Sequence, residues 1–405
     1  MKKIPFVIIT LIAFCSTLGA QNAAGSDVTR QLLSFSPLGE IFVRNLGLID
    51  RNDNGVIDRD AGEGFEEFIE KYGYADIGFL INGVVQGEDN GRLEENEIVN
   101  HYYVHIRFRP DFAAETEAID NEIKALINAH GFPLIWLDDE DATVMSAVNR
   151  ILGEGWNERD VTEDEAVRMF NRAMQGMRII GRRGDPGRTG YHSLPEMVNR
   201  RAAYCFEAAQ AGFWFFSELG INSNIVSEFL SESLLHAVVR LNDSGRIIDF
   251  FNSSARYRIS ADRWNIENPV QLLGEFFLTE GLRLRNANQE NYTALLEQAA
   301  VFNKYDIETI ATLIHSYNRQ ERFPEMIALG EFLLEYINID DIMNTNRLGQ
   351  RFDKNNLLAI LLYLIKSYSI ENNREGFDNI EAILGQYFIG NSDANAYLNY
   401  YRLSR

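Results

Sequence analysis

The sequence YCFEAAQAGFWFFSELGINSNIVSEFLSESLLHAVVRLNDSGRIIDF, which runs from Tyr204 to Phe250, decides the central fold of this chain. Its first third is dense in small and apolar residues, which predicts a buried helix that begins at Cys205 and ends near Gly220. Cys205 stands on the first turn of that helix, where unpaired main-chain N–H groups and the helix dipole favour an anion. The sequence therefore predicts that the thiolate form of Cys205 is stabilised.

The second half of the same stretch predicts a β-hairpin. It divides into a strand, a turn and a second strand: Leu234–Leu241, Asn242–Gly245 and Arg246–Phe251. If Leu241 pairs with Arg246, then His236 and Asp249 are diagonal neighbours on one face, within reach of an imidazole–carboxylate hydrogen bond. A loop one residue longer or shorter would put the two side chains on opposite faces. The predicted site therefore depends on this register.

Cys205, His236 and Asp249 supply a nucleophile, a base and a group that orients the base. Their order, on a helix and two strands, resembles the transglutaminase-like core of the papain-like cysteine enzymes. The resemblance includes the helix after Cys205 and three short patterns: LGI at Leu219–Ile221, HAVV at His236–Val239 and GRIID at Gly245–Asp249. It implies that Cys205 is the nucleophile, that His236 is the general base and that Asp249 fixes the imidazole.

The same resemblance implies an enzyme that attacks the carbonyl carbon of a peptide or glutamine amide and forms a thioester. Water or an amine would resolve the thioester, and the sequence leaves both open. The oxyanion donor also stays open between the main-chain N–H of Cys205 and the side chain of Asn199. The alternative function is a non-catalytic, extracytoplasmic calcium-binding interaction protein with a degenerate transglutaminase-like core.

The composition limits the classes of partner. A chain of 405 residues, of which 46% are hydrophobic, predicts two or three domains with well-buried cores. A formal net charge of −21 argues against nucleic acid and against an anionic membrane as partners, because both bind basic surfaces. We expect a protein or peptide substrate instead.

Residues 1–20 read as a secretory signal peptide, with a basic start, an apolar core and an imperfect cleavage site at Leu18–Ala20. This predicts a periplasmic or extracellular protein, and no later segment is long and apolar enough to predict a transmembrane span. Lipid anchoring through Cys15 is the weaker alternative, because Phe14 is bulky where small residues are expected. Removal of the leader would leave Cys205 as the only cysteine, which excludes an internal disulfide.

The stretch Asp50–Asp58 has the residue pattern of an EF-hand calcium loop. Oxygen-bearing groups recur at alternate positions, and Gly55 stands where such a loop turns sharply. The last position of the loop, usually a glutamate, is Ala61. The metal-binding residues that the resemblance implies are Asp50, Asn52, Asn54, Val56 through its carbonyl, Asp58 and Glu63. We expect weak, structural Ca²⁺ binding that does not enter the chemistry.

A weaker copy of the loop pattern follows between Gln86 and Glu97. Here Glu88, Asn90 and Glu97 are the expected ligands, and Gln86 replaces the first aspartate. Ile57 and Leu93 are placed to pair between the two loops. Four apolar runs predict flanking helices: Leu38–Ile49, Phe65–Tyr72, Ile77–Val85 and Ile98–Phe108. The segment 30–108 therefore resembles a pair of EF-hands.

Residues 109–267 are predicted to form the catalytic domain. Two capping boxes indicate helix starts, one formed by Thr162 with Glu165 and one by Ser193 with Glu196. Between them lies Gly181–Arg188, a loop rich in glycine and arginine. The sequence indicates an exposed connector there or a contact for an anionic substrate or a partner.

Residues 268–405 have helical periodicity. Two helical hairpins are predicted: Ile310–Tyr317 with Phe323–Tyr336, and Leu357–Tyr368 with Phe377–Tyr387. They resemble tetratricopeptide repeats, which implies a surface for a protein partner, and a cap that only supports the enzyme domain is the alternative. The predicted fold class is α+β: a helical EF-hand-like pair, a nucleophile helix packed on an antiparallel sheet, and a C-terminal helical repeat region.

Overall fold

The computed structural model describes residues 34–73, 79–81, 84–86, 91–107, 109–129, 142–182, 192–231, 234–251, 265–267, 269–344 and 350–403. Helices dominate, several small sheets are present, and the C-terminal region is helical. The fold is therefore α+β in the broad sense. In the described part of the chain, no helix has the length and apolar character needed to cross a membrane.

The N-terminal unit packs helices around two short loop strands. Its elements are α1 Pro37–Asn45, β1 Val56–Asp58, α2 Phe65–Tyr72, β2 Phe79–Ile81, β3 Val84–Gln86, β4 Arg92–Glu94 and α3 Glu95–His101. Strands β1 and β4 pair antiparallel, and Ile57 lies opposite Leu93. The pairing of these two residues between the loops is therefore confirmed, and both are buried.

The predicted helix Ile77–Val85 is wrong. The chain forms β2 and β3 there, and these two strands pair antiparallel with Leu80 opposite Val85. The sequence between them is Asn82-Gly83, the dipeptide most typical of a two-residue hairpin turn. Ile81 and Val84 lie opposite each other, and their β-branched side chains fit a pleated strand.

The central unit places a buried helix against an antiparallel sheet. Its elements are α4 Ala113–Ala129, α5 Ala142–Leu152, α6 Glu163–Gly176, β5 Ile180–Gly181, α7 Leu194–Arg200, β6 Ala202–Ala203, α8 Cys205–Glu218, β7 Ser223–Ser231, β8 Leu234–Leu241, β9 Ile247–Ile248 and β10 Asn265–Glu267. The sheet has the strand order β10-β7-β8-β9. Both predicted capping boxes are present, at Thr162 and at Ser193.

Helix α8 lies close to strand β8 because Gly212 faces the strand. A Cβ atom at Gly212 would lie 2.8 Å from a methyl carbon of Val239 and 3.3 Å from the ring of Phe170. These separations are shorter than ordinary carbon–carbon contacts, so a larger residue would push the helix away from the sheet. Three residues further along the same helix, Phe215 stacks on the fully buried Trp156 at 4.5 Å between ring centroids.

The C-terminal unit is a series of helices that pack against one another. Its elements are α9 Pro269–Asn286, α10 Tyr292–Phe302, α11 Ile307–Arg319, α12 Phe323–Tyr336, α13 Ile339–Asn344, α14 Gln350–Ile370, α15 Arg374–Tyr387 and α16 Ser392–Leu403. Each half of the two predicted helical hairpins lies within one of these helices. Lys304, just after α10, forms a buried ion pair with Glu95 of the N-terminal unit, at 2.9 Å.

Candidate active site

The hairpin register brings His236 and Asp249 together. Val239 lies opposite Ile248 and Arg240 opposite Ile247, which is the register set by a Leu241–Arg246 pair. The N–H of Leu241 also donates to the carbonyl of Arg246 at 2.8 Å. His236 Nε2 lies 2.9 Å from Asp249 Oδ2. The predicted imidazole–carboxylate contact is therefore present.

Asp249 is held in place by a second hydrogen bond. Its Oδ1 accepts the main-chain N–H of Phe251 at 2.9 Å. Strand β9 consequently ends at Ile248, and the prediction of a strand that continues to Phe251 is wrong, because the chain turns around the carboxylate. The side chain of Asp249 is 4% exposed and that of His236 is 15% exposed. The pair is thus largely shielded from water, which strengthens its electrostatic interaction.

Cys205 contacts the same imidazole. Burial lowers the pKa of His236, but hydrogen bonds to Asp249 and to Cys205, together with the charges of both, outweigh burial and raise the pKa to about 10. Since Nε2 is engaged with Asp249, Nδ1 is the ring nitrogen left for the sulfur. The three sequence-predicted residues therefore converge, and Cys205 is a free thiol.

The surroundings of Cys205 are apolar and tightly packed. A cavity of about 10 Å³, near the lower limit for holding one water molecule, lies beside it. Its walls come from α6, α8, β8 and the end of the hairpin, and they include Phe170, Ala209, Val239 and Phe251. Charge on the imidazole is screened little by solvent in such surroundings.

Glu207 anchors the start of the nucleophile helix, a role that the sequence analysis missed. Its carboxylate is fully buried and accepts the N–H groups of Tyr204 and His192, each at 2.6 Å. Burial raises the pKa of Glu207, while the hydrogen bonds from Tyr204 and His192 lower it. A glutamate on the first turn of a helix is typical of a capping box. The usual box has serine or threonine at the N-cap, so Tyr204 at that position kept the sequence from indicating this role of Glu207.

This geometry favours one of the two candidate oxyanion donors. Cys205 is the first helical residue of α8, so its N–H has no acceptor within the helix. Asn199 lies on an exposed position of α7. The main-chain N–H of Cys205 is therefore the better placed donor.

The Asp50 loop has the turn expected of its sequence pattern. The carboxylate of Asp50 accepts the N–H of Gly55 at 2.8 Å and that of Asn54 at 3.3 Å. Oδ1 of Asn52 accepts the N–H of Asn54, and Oδ1 of Asn54 accepts that of Val56. The side-chain oxygens at the alternate positions thus accept main-chain hydrogen bonds, and the main chain curves around them.

Glu63 closes this loop. It is 1% exposed, and its two oxygens accept the N–H groups of Arg51 at 3.1 Å and Asp58 at 2.7 Å. Burial raises the pKa of Asp50, the N–H groups of Gly55 and Asn54 lower it, and the nearby charge of Glu63 raises it further. Two carboxylates that repel each other in a partly buried loop fit a cation between them.

Other predicted ligands are used differently. Asp58 forms an ion pair with Arg92 at 3.3 Å, and Glu97 caps α3 by accepting the N–H of Glu94 at 2.9 Å. Glu88 and Asn90 lie outside the described residues. In the part of the chain that the structure describes, no three His, Cys, Asp or Glu side chains are gathered as a metal site.

Comparison of the chain with protein-family models, with curated proteins and with solved structures finds no match.

Proposed function

We propose that this chain is an exported, transglutaminase-like cysteine enzyme that cleaves or transfers acyl groups at peptide or glutamine amide bonds. The observation that carries the proposal is the shared imidazole: Nε2 of His236 binds Asp249 at 2.9 Å, and the same ring is hydrogen-bonded to Cys205. A nucleophile, a base and an orienting carboxylate on three different elements form the arrangement that activates a thiol.

In the proposed acylation step, the Cys205 thiolate attacks the carbonyl carbon of the amide, and the carbonyl electron pair moves to oxygen. The main-chain N–H of Cys205 would stabilise this oxyanion. The carbon–nitrogen bond then breaks, and the protonated ring of His236 gives its proton to the leaving amine. The products of this step are an amine and a thioester on Cys205.

In the second step, the now neutral imidazole takes a proton from water or from an acceptor amine, which attacks the thioester. The carbon–sulfur bond breaks and the thiolate returns beside an imidazolium. Throughout both steps Asp249 holds the ring through Nε2 and stabilises its positive charge. Its own position is fixed by the N–H of Phe251.

The proposal is tested by replacing the nucleophile. Cys205→Ala should abolish covalent labelling by thiol-directed probes at this position and hydrolysis of peptide amides, while the circular dichroism spectrum and the unfolding midpoint stay close to wild type. Cys205→Ser is the matched variant, because it replaces the thiol with a hydroxyl of similar size, and it should likewise lose the labelling. Amide hydrolysis that persists in Cys205→Ala would contradict the proposed role of the thiol, whereas a wild type that neither hydrolyses nor transfers at amides would favour the non-catalytic binding protein.

We also propose that the Asp50 loop binds Ca²⁺ as a structural ion. Asp50, Asn52, Asn54, the carbonyl of Val56 and Glu63 would hold it, and the ion would relieve the repulsion between the two carboxylates. The ion would have no part in the chemistry, because none of these residues contacts Cys205, His236 or Asp249 in the described contacts. The C-terminal helices are proposed to hold a protein partner.

A further inference from the structure

Two arginine side chains share one histidine nitrogen near the nucleophile helix. Nη1 of Arg182 lies 2.6 Å and Nη1 of Arg200 lies 2.9 Å from Nε2 of His192. Burial lowers the pKa of His192, and the charges of Arg200 and Arg182 lower it further, so the ring is neutral and accepts from the arginines. We call Arg182 and Arg200 the guanidinium pair.

The guanidinium pair has no carboxylate partner within 4 Å in the described part of the chain. Three acidic residues act on the cluster from a distance, and each of them is already used elsewhere. Glu207 accepts two main-chain N–H groups, Glu196 caps α7 at Ser193, and Glu280 binds Arg283. Each guanidinium has five N–H donors, so most of its donors are left for another acceptor. In a chain of net charge −21, such a pair is a local positive site.

The guanidinium pair lies beside the residues that carry Cys205. The N–H of Arg182 donates to the carbonyl of Ala203 at 2.7 Å, and its guanidinium lies 5.2 Å from the ring centroid of Tyr204, the residue before the nucleophile. Gly181, just before Arg182, packs against Phe251, which lines the cavity at Cys205. The guanidinium pair can therefore contact a substrate group that lies within a few residues of the amide held at the thiol.

We propose that the guanidinium pair is a carboxylate-binding subsite that selects substrates with a negative group near the amide attacked by Cys205. Two parallel N–H donors of an arginine match the two oxygens of a carboxylate, and a second arginine adds charge without a change in geometry. The carboxylate is either the C-terminus of the substrate or an acidic side chain. This inference rests on the proposed function, because it takes the substrate to be held at Cys205.

Alkylation of Cys205 by two reagents of nearly equal size tests the subsite. Iodoacetate is an anion and iodoacetamide is neutral, and both form the same carbon–sulfur bond with loss of iodide. We expect Arg182→Gln and Arg200→Gln each to lower the iodoacetate-to-iodoacetamide rate ratio by about fivefold, the factor that one unit charge at about 4 Å contributes in water. Arg172→Gln on α6 is the control, because it removes the same charge from an exposed arginine away from His192.

The ratio separates the subsite from the nucleophile, because a change in thiolate reactivity alters both rates alike. A ratio in Arg182→Gln equal to those of wild type and Arg172→Gln overturns the subsite. Slow reaction with both reagents in the wild type instead contradicts the proposed function. In that case the subsite is tested by calorimetry. The affinity for N-acetylalanine is compared with that for N-acetylalanine amide, and the affinity for N-acetylglutamate amide with that for N-acetylglutamine amide. An acid preference that Arg182→Gln removes supports the subsite and identifies the source of the carboxylate, and an equal affinity for acid and amide overturns it.

Discussion

The hairpin that carries His236 and Asp249 and the loop that carries Asp50 both gather charged side chains, but by opposite means. In the hairpin, main-chain pairing between β8 and β9 sets the distance between two side chains that lie far from the turn. In the loop, the side chains organise the main chain, since Asp50 and Glu63 each accept two N–H groups. The contacts of the first site therefore form without a ligand, whereas the second would have to release some of its own contacts in order to bind an ion.

The largest effect is expected when the negative charge of Asp249 is removed from the hairpin. Asp249→Asn removes the charge that holds His236 protonated, so the rate of Cys205 alkylation at pH 6 should fall by about 10²-fold, in the range of a positioned acid–base group. Mass spectrometry of the peptide that contains Cys205 measures the rate. Asp243→Asn, in the exposed turn of the same hairpin, is the control. Equal rates in the two variants would mean that Asp249 does not act on the imidazole.

The second prediction concerns the attachment of the loop unit to the C-terminal helices. Lys304 is 4% exposed and pairs with Glu95, which also accepts the N–H of Ser36 at 2.9 Å. Lys304→Met leaves the carboxylate buried without its cation, and we expect a loss of about 3 kcal/mol in the free energy of unfolding. Denaturant titration measures the loss, and the double variant with Glu95→Gln should recover part of it.

Lys304→Met also tests whether the hairpin site depends on the loop unit. If the hairpin is complete by itself, Lys304→Met should leave the rate of Cys205 alkylation unchanged in conditions where the protein is folded. A rate that falls together with stability would show that the loop unit supports the nucleophile.

The third prediction is a thermal shift with calcium. An ion that binds only the folded loop adds about 2.7 kcal/mol at a concentration of 100 times its dissociation constant. The unfolding midpoint should therefore rise in millimolar calcium relative to chelator, and the rise should disappear in Asp50→Asn and in Glu63→Gln. Asp53→Asn, an exposed loop residue whose side chain is not an expected ligand, should keep the rise. An unchanged midpoint in the wild type would mean that the loop does not bind the ion.

Much of the hairpin site was predictable because its geometry follows from local sequence. The turn of Asn242–Gly245 fixes which residues pair, and the pairing fixes the face of every side chain. Pairing of Ile57 with Leu93 was predictable for a similar reason, since the loop pattern repeats around both residues. The prediction of a helix at Ile77–Val85 was wrong because it followed the apolar run. The Asn-Gly dipeptide that divides this run is typical of a hairpin.

Contacts between side chains distant in sequence were not predictable. Glu207 reaches the N–H of His192, and Lys304 reaches Glu95, only because the fold brings separate elements together. No periodicity or spacing marks such a pair in a single sequence. The same holds for the guanidinium pair, because Arg182 follows β5, Arg200 is the last residue of α7, and the two meet at His192.

An ion pair between His236 and Cys205 should be visible in the rate of iodoacetamide alkylation measured against pH. The folded pKa of His236 is raised to about 10 from its ordinary 6.5, so the ring stays protonated through neutral pH and the pair is lost only as the pH rises through about 10. We predict a nearly constant rate between pH 6 and pH 8 in the wild type, whereas in His236→Gln it should fall about tenfold per unit below the ordinary thiol pKa of about 8.5. A wild-type rate that rises tenfold per unit up to pH 8.5, as in the variant, would mean that the two residues do not form an ion pair.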